Sequence, residues 1–122
     1  VNRSALAGLA AGLAWMSKRE GALARARAQV AAIEALVRER GATVHGPPSE
    51  ERRPTLAIGG PVAELGRALR AEGIVVSAGL HCSPAAHETL GTGPGGLVRI
   101  SVGPLVEDDA IDHACAVLGR LL

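Results

Sequence analysis

The chain has almost no aromatic residues: phenylalanine and tyrosine are absent, and Trp15 is the only aromatic side chain among 122 residues. Stacking platforms for nucleic-acid bases are therefore excluded, because they are built from aromatic rings. The formal net charge is only +1, and like charges do not occur in runs, so the chain also lacks the basic footprint of a nucleic-acid-binding protein. The core must be built from leucine, valine, isoleucine and alanine.

Cysteines and long apolar runs are also scarce. Cys82 and Cys115 are too few for a disulfide framework, and the sequence shows no secretory signal pattern. The apolar stretch 5–16 is too short to cross a bilayer and is interrupted by Gly8 and Gly12. We therefore expect a reducing, cytoplasmic compartment and no membrane partner.

The length of 122 residues suits one modest hydrophobic core. Hydrophobic periodicity predicts helices over 5–18, 22–40, 62–72 and 107–121, and short apolar runs predict strands over 42–45, 55–58, 74–77 and 97–102. This order predicts an α+β fold, a mostly antiparallel sheet of about four short strands with helices on one face. The glycine- and proline-rich residues 91–96 are predicted to form a mobile loop.

The predicted helices carry apolar stripes at helical spacing. Two stripes are expected to face the core: Leu23, Ala26, Val30, Ile33 and Val37 in the second helix, and Ile111, Ala114, Leu118 and Leu121 in the last. The first helix, with Ser4 as its expected cap, carries a stripe of Leu6, Leu9, Leu13 and Met16. Because the sequence begins abruptly without an initiator methionine, we expect a piece of a longer protein in which this stripe packs against another domain.

Cys82 and Arg99 have the clearest potential for chemistry. Cys82 lies in a loop next to His81, and a thiol there is suited to nucleophilic chemistry if the imidazole or backbone dipoles lower its pKa. Arg99 alternates with the apolar Val98 and Ile100, so its guanidinium faces away from the core and can bind a carboxylate through two hydrogen bonds. A thiol nucleophile and a carboxylate anchor together indicate chemistry on a cysteine-like amino acid.

Each of these residues also has a plainer interpretation. Cys82 can be a small buried hydrophobic residue, and Arg99 an ordinary exposed arginine. Cys115 lies between alanines in an apolar helix and is interpreted as structural. His81, Cys82 and His87 fall short of a closed zinc set, so no metal site is expected.

Residues 73–87, Gly-Ile-Val-Val-Ser-Ala-Gly-Leu-His-Cys-Ser-Pro-Ala-Ala-His, resemble the "GI.vr.G.HC.p..h" segment of cysteine desulfurases and selenocysteine lyases. This group belongs to the class V aminotransferases, which have fold type I and depend on pyridoxal phosphate. Residues 97–101 are similar to its "vR.S" motif, residues 111–112 to its "eeiD" motif, and residues 2–9 to its "N.p.iaGL" motif. The resemblance covers nearly the whole chain.

The resemblance implies that Cys82 attacks the sulfur of the substrate and becomes a persulfide, and that Arg99 holds the α-carboxylate of the substrate. His81 would lie in the loop beside the nucleophile. It also implies pyridoxal phosphate as the cofactor, L-cysteine or selenocysteine as the substrate, a sulfur-acceptor protein as a partner and a homodimeric full-length enzyme. Residues 1–40 would be helices that link to a large cofactor-binding domain, and residues 41–122 a small C-terminal α+β domain.

The sequence departs from the pattern of this group at three places. Residues 105–107, Leu-Val-Glu, replace a common "YNT", so a helix cap is lost, and Ser77 stands where arginine is common. The lysine that binds pyridoxal phosphate is missing, because Lys18 is the only lysine and lies on the wrong side of the "N.p.iaGL" segment. We therefore expect no cofactor-binding residue in this part of the protein and no activity from it alone.

Two alternatives to a desulfurase stay open. One is another transaminase or lyase of the same fold, in which Cys82 is incidental. The other is a non-catalytic, stand-alone α+β interaction module.

Overall fold

The structure, a computed structural model, describes residues 2–48 and 51–122. Five helices lie within these residues: α1 (Arg3–Ser17), α2 (Ala22–Glu39), α3 (Val62–Ala71), α4 (Pro84–Thr89) and α5 (Asp108–Leu121). Four strands, β1 (Val44–His45), β2 (Thr55–Ile58), β3 (Ser77–Gly79) and β4 (Leu97–Ser101), form one sheet in the order β1-β2-β4-β3. All three neighbouring pairs are antiparallel, which confirms the predicted α+β class.

The core lies between one face of the sheet and the helices α2, α3 and α5. Leu56 and Ile58 of β2 and Val98 and Ile100 of β4 face the core and are buried. The helices contribute Ala26, Val30, Ile33, Val37, Leu65, Leu69, Val117 and Leu118, all of them buried. Because successive side chains of a strand point to opposite faces, the residues between these strand positions lie on a second, open face, and Arg99 is among them.

The strand predicted over 74–77 is wrong in its position, because β3 begins only at Ser77. The β-branched run after Gly73 favours a strand, but the Ile74 N–H donates to the Leu69 carbonyl at 2.9 Å and the Gly73 N–H donates to Arg70 at 3.1 Å. These two bonds close the C-terminus of α3 in the pattern of a Schellman motif. The backbone at Ile74 is therefore committed to the end of the helix, and pairing with β4 starts later.

Helix α4 is an element that the sequence analysis missed. Pro84 occupies its first turn, where the fixed φ of proline suits a helix start and no N–H is needed. The helix has only six residues, too short for a recognisable apolar period. Residues 91–96 after it contain no helix or strand, as predicted, and backbone bonds from Thr92 to His87 (2.9 Å) and from Gly96 to Thr92 (2.8 Å) tie them together.

Three expectations about individual helix residues are wrong. Leu23 and Leu121 were expected to face the core but are exposed, because they lie in terminal turns beyond the last buried residues of their stripes. Asn2, not Ser4, caps α1: its side-chain oxygen accepts the Ala5 N–H at 3.0 Å. Glu107 precedes α5 without a side-chain capping bond, as the lost "YNT" predicted.

The stripe on α1 is exposed, as predicted for a chain that lacks its packing partner. Leu6, Leu9, Leu13 and Met16 are each more than half exposed, and no residue of α1 is buried. What covers this stripe stays a prediction. None of the helices within the described ranges is long and apolar enough to cross a membrane.

The ends of β3 and β4 approach each other closely at Gly96, and this contact is testable. Gly96 has a φ of 77°, and a Cβ atom placed there would overlap the carbonyl of Gly79. We expect Gly96→Ala to lower the free energy of unfolding by about 2–5 kcal/mol, from the left-handed backbone and the overlap together.

Gly95→Ala is the matched control, because no atom lies within 4 Å of the position that its Cβ would take. Its expected effect is within about 0.5 kcal/mol. Urea denaturation of both variants measures the difference, and equal stabilities would contradict the close approach.

Candidate functional site

Arg99 lies in the middle of the open face of the sheet. In the antiparallel register its partners are Ala57 of β2 and Ser77 of β3. Its side chain is exposed and its Nη2 lies 3.4 Å from the Ser77 hydroxyl, to which it donates. Among the described residues, no carboxylate forms an ion pair with Arg99. The guanidinium is therefore available to an external carboxylate, which it can bind through two hydrogen bonds.

The strand next to Arg99 leads directly into a tight turn that carries Cys82. The Ser83 N–H donates to the Leu80 carbonyl at 2.9 Å, and the two central residues, His81 and Cys82, have φ values of 51° and 60°. Positive φ at both central positions is the mark of a type I′ turn, which asparagine and glycine usually fill. Non-glycine residues in this conformation cost about 1–2 kcal/mol each, so surrounding contacts must hold the turn. The turn leaves Cys82 exposed, which rules out the interpretation of a buried hydrophobic residue.

His81 joins this turn to strand β4. Its Nε2 lies 3.0 Å from the carbonyl oxygen of Leu97. A carbonyl only accepts, so Nε2 carries the hydrogen and Nδ1 of the neutral ring keeps its lone pair. Burial lowers the pKa of His81 below its ordinary value of 6.5, and the charges of Arg99 and His87 lower it further. The imidazole is therefore neutral at pH 7, in one tautomer.

A cleft of about 470 Å³ opens beside the turn, and its lining includes Leu80 and Pro84 on either side of Cys82. His87 of α4 also lines the cleft, and this histidine is buried. Nδ1 of His87 lies 2.7 Å from the Thr92 hydroxyl, and its ring centroid lies 5.9 Å from that of His81. The contact between His87 and Thr92 was not predicted from the sequence, because this contact depends on helix α4. A histidine and a threonine five residues apart give no signal by themselves.

The Cys82 turn follows the end of β3 at which Gly79 pairs with Leu97, and Arg99 lies two residues further along β4, opposite Ser77. The pairing of β3 with β4 therefore places the turn and Arg99 on the same pair of strands. Cys115 differs from the exposed Cys82, because it is half-buried in α5 and packs against the core. Burial and, to a lesser extent, Asp112 raise the pKa of its thiol, so it is a poor nucleophile.

The single lysine of the sequence, Lys18, lies away from the Cys82 turn. Lys18 caps the C-terminus of α1 and lines a shallow groove with Arg19, Arg25 and Pro104, none of which belongs to the Cys82 turn. No lysine therefore lies in the Cys82 turn or on the open face beside Arg99. Across the described ranges, no three His, Cys, Asp or Glu side chains are grouped so that they could hold a metal ion.

Comparisons with known proteins bear on the family and the fold of this chain. The family model described as aminotransferase class V matches residues 1–113. The fold is similar to a cysteine desulfurase from Thermococcus onnurineus NA1, with a TM-score of 0.84 and 22% identity over 93% of this chain and 30% of that one. It is also similar to the cysteine desulfurase CsdA from Escherichia coli, with a TM-score of 0.80 and 23% identity over 93% of this chain and 29% of that one.

A search of curated proteins finds no match. The chain spans about 30% of the length of these two structures, so the likeness establishes the fold of this part alone. The family match extends over nearly all of the sequence, from the exposed helix α1 into α5. The chain therefore belongs to the class V aminotransferase family.

Proposed function

We propose that this chain is the C-terminal part of a cysteine desulfurase that removes sulfur from L-cysteine and leaves L-alanine and a persulfide on Cys82. One observation carries the proposal: in a class V chain, the antiparallel pair β3–β4 sets an exposed cysteine turn next to an arginine without a carboxylate partner among the described residues. A nucleophile and an anchor for an α-carboxylate on one pair of strands suit an amino acid that carries sulfur on its β-carbon.

The proposed step balances in atoms and electrons. The Cys82 thiolate attacks the sulfur of L-cysteine, so that a sulfur–sulfur bond forms as the bond between sulfur and Cβ breaks. The electron pair of the broken bond stays with the carbon skeleton, which takes up a proton and leaves as L-alanine. Arg99 holds the α-carboxylate during this exchange and thereby directs the β-substituent toward the thiol.

The remaining parts of the site belong to the rest of the longer protein. A large domain covers the exposed stripe of α1 and binds pyridoxal phosphate, which supplies the electron sink for the substrate carbanion. The full-length enzyme is a homodimer and works in the cytoplasm, where a reduced thiol is maintained. The exposed position of Cys82 leaves its persulfide open to a thiol of an acceptor protein.

Replacing the proposed nucleophile separates the desulfurase from its nearest alternative. In the full-length protein, Cys82→Ala should abolish transfer of sulfur from L-cysteine without loss of cofactor absorbance, because the thiol is the covalent acceptor. Cys115→Ala is the matched control, since that thiol is half-buried in α5 and should be dispensable. Alanine and sulfide release measure both variants. Full activity of Cys82→Ala would instead support a transaminase or lyase in which this cysteine is incidental.

Replacing the proposed anchor should weaken substrate binding. A charge-assisted, two-pronged bond to a carboxylate contributes about 1.5–3 kcal/mol, so Arg99→Ala should lower the affinity for L-cysteine roughly ten- to hundredfold. Arg99→Lys should recover only part of this loss, because an ammonium group cannot reproduce the planar fork of the guanidinium. Steady-state kinetics and cysteine titration measure the change, and an unaltered affinity would contradict the assignment of Arg99.

The closeness of Arg99 to the Cys82 turn has its own test, independent of activity. Arg99→Ala should raise the pKa of His81 toward its ordinary value of 6.5, because a nearby positive charge that disfavours the imidazolium is removed. The rise should be partial, since burial is the larger cause. Titration of the imidazole by NMR measures it, with Arg27→Ala on the exposed surface of α2 as the control. An unchanged His81 pKa would place Arg99 away from the turn.

A further inference from the structure

Among the described residues, one side-chain hydrogen bond joins the turn that carries Cys82 to strand β4. Its internal bond, from the Ser83 N–H to the Leu80 carbonyl, closes the turn but does not connect it to β4. The Cys82 thiol makes no hydrogen bond within the described part of the chain. The bond from His81 Nε2 to the Leu97 carbonyl, in contrast, joins positions 16 residues apart.

The acceptor of this bond is a well-defined point of the fold. Leu97 is buried, pairs with Gly79 of β3 and lies on the same strand as Arg99, two residues away. A donor bound to the Leu97 carbonyl is therefore held in place relative to the backbone of Arg99. The next residue along the chain from that donor is Cys82.

We propose that His81 is a positioning residue for Cys82, whose hydrogen bond to the Leu97 carbonyl locks the left-handed turn onto β4 and sets the thiol relative to Arg99. This assignment rests on the proposed function of the site, in which Arg99 holds the substrate that the Cys82 thiol attacks. His81 does not react in this scheme; its effect on chemistry is transmitted through the placement of Cys82.

The hydrogen bond from His81 to the Leu97 carbonyl does not depend on the charge of the imidazole. Burial, and after it Arg99 on β4 and His87 on α4, disfavour an imidazolium and lower the pKa of His81. Nε2 carries a hydrogen in the neutral tautomer and in the imidazolium alike. What the proposal requires is therefore a donor at the position of Nε2, and a neutral amide can supply it.

Three substitutions at position 81 separate the donor from the backbone conformation. His81→Leu has a similar size but no donor, and the side-chain amide of His81→Gln reaches about as far as Nε2. His81→Asn tolerates positive φ well but has a shorter reach. All three are made in the full-length protein with Cys115→Ala, so that of these two thiols only Cys82 is left to react with iodoacetamide.

Three measurements are made on each variant: deuterium exchange in residues 80–83, the rate of Cys82 alkylation located by mass spectrometry, and kcat and KM for L-cysteine. Losing one hydrogen bond should speed exchange in His81→Leu about threefold to tenfold, change the rate of Cys82 alkylation, and lower kcat by a similar factor. KM should change by less than about twofold, since Arg99 is intact. His81→Gln should restore wild-type values, and His81→Asn should not.

Several outcomes would overturn the proposal. Rescue by His81→Asn but not His81→Gln would show that the conformation of the turn matters and the donor does not. Unchanged deuterium exchange and alkylation rates in His81→Leu would show that the hydrogen bond to Leu97 does not hold the turn in place. A rise in KM with constant kcat would make His81 a substrate contact. If L-cysteine is not a substrate at all, the proposed function fails, yet exchange and alkylation still decide whether His81 anchors the turn.

Discussion

The antiparallel pairing of β3 with β4 is the constraint on which the site depends. It brings Ser77 opposite Arg99 and Gly79 opposite Leu97, so the chain leaves β3 for the Cys82 turn at the point where β4 begins. The pairing is possible at that end because Gly96 has no side chain to overlap the Gly79 carbonyl. A backbone contact at the start of the Cys82 turn thus determines which residues this strand pair brings together.

The turn beyond this pairing stores strain where function is proposed. His81 and Cys82 occupy a conformation that other turns fill with glycine or asparagine, and the loop around them is bound by side chains as well as backbone. His81 contacts Leu97, and His87 contacts Thr92 across the end of α4. Such strain persists only where neighbouring contacts hold it, so the two histidines contribute to the structure of the site.

The open face of the sheet and the exposed helix α1 are two surfaces of this chain that lie outside its hydrophobic core. The open face offers an anchor and a thiol but no lysine for pyridoxal phosphate, and α1 presents leucines to solvent along its length. Membership in the class V aminotransferases explains both features, if the cofactor and the cover of α1 lie in the rest of a longer protein. In the proposed function, cofactor chemistry lies outside this chain and sulfur capture within it.

The sequence by itself determined the four longer helices and most of the core, and it identified Cys82 and Arg99 as the candidate site residues. Strong apolar periods in α2, α3 and α5 and alternation in β4 left few other folds, and the segments around Cys82 and Arg99 carried the family resemblance. Only the tertiary structure decided the start of β3, the presence of α4 and the conformation of the Cys82 turn. In each case a contact between residues distant in sequence, or a bond that ends a helix, overrode the local preference: Ile74 closes α3 instead of opening a strand, and His81 adopts positive φ where it can reach Leu97.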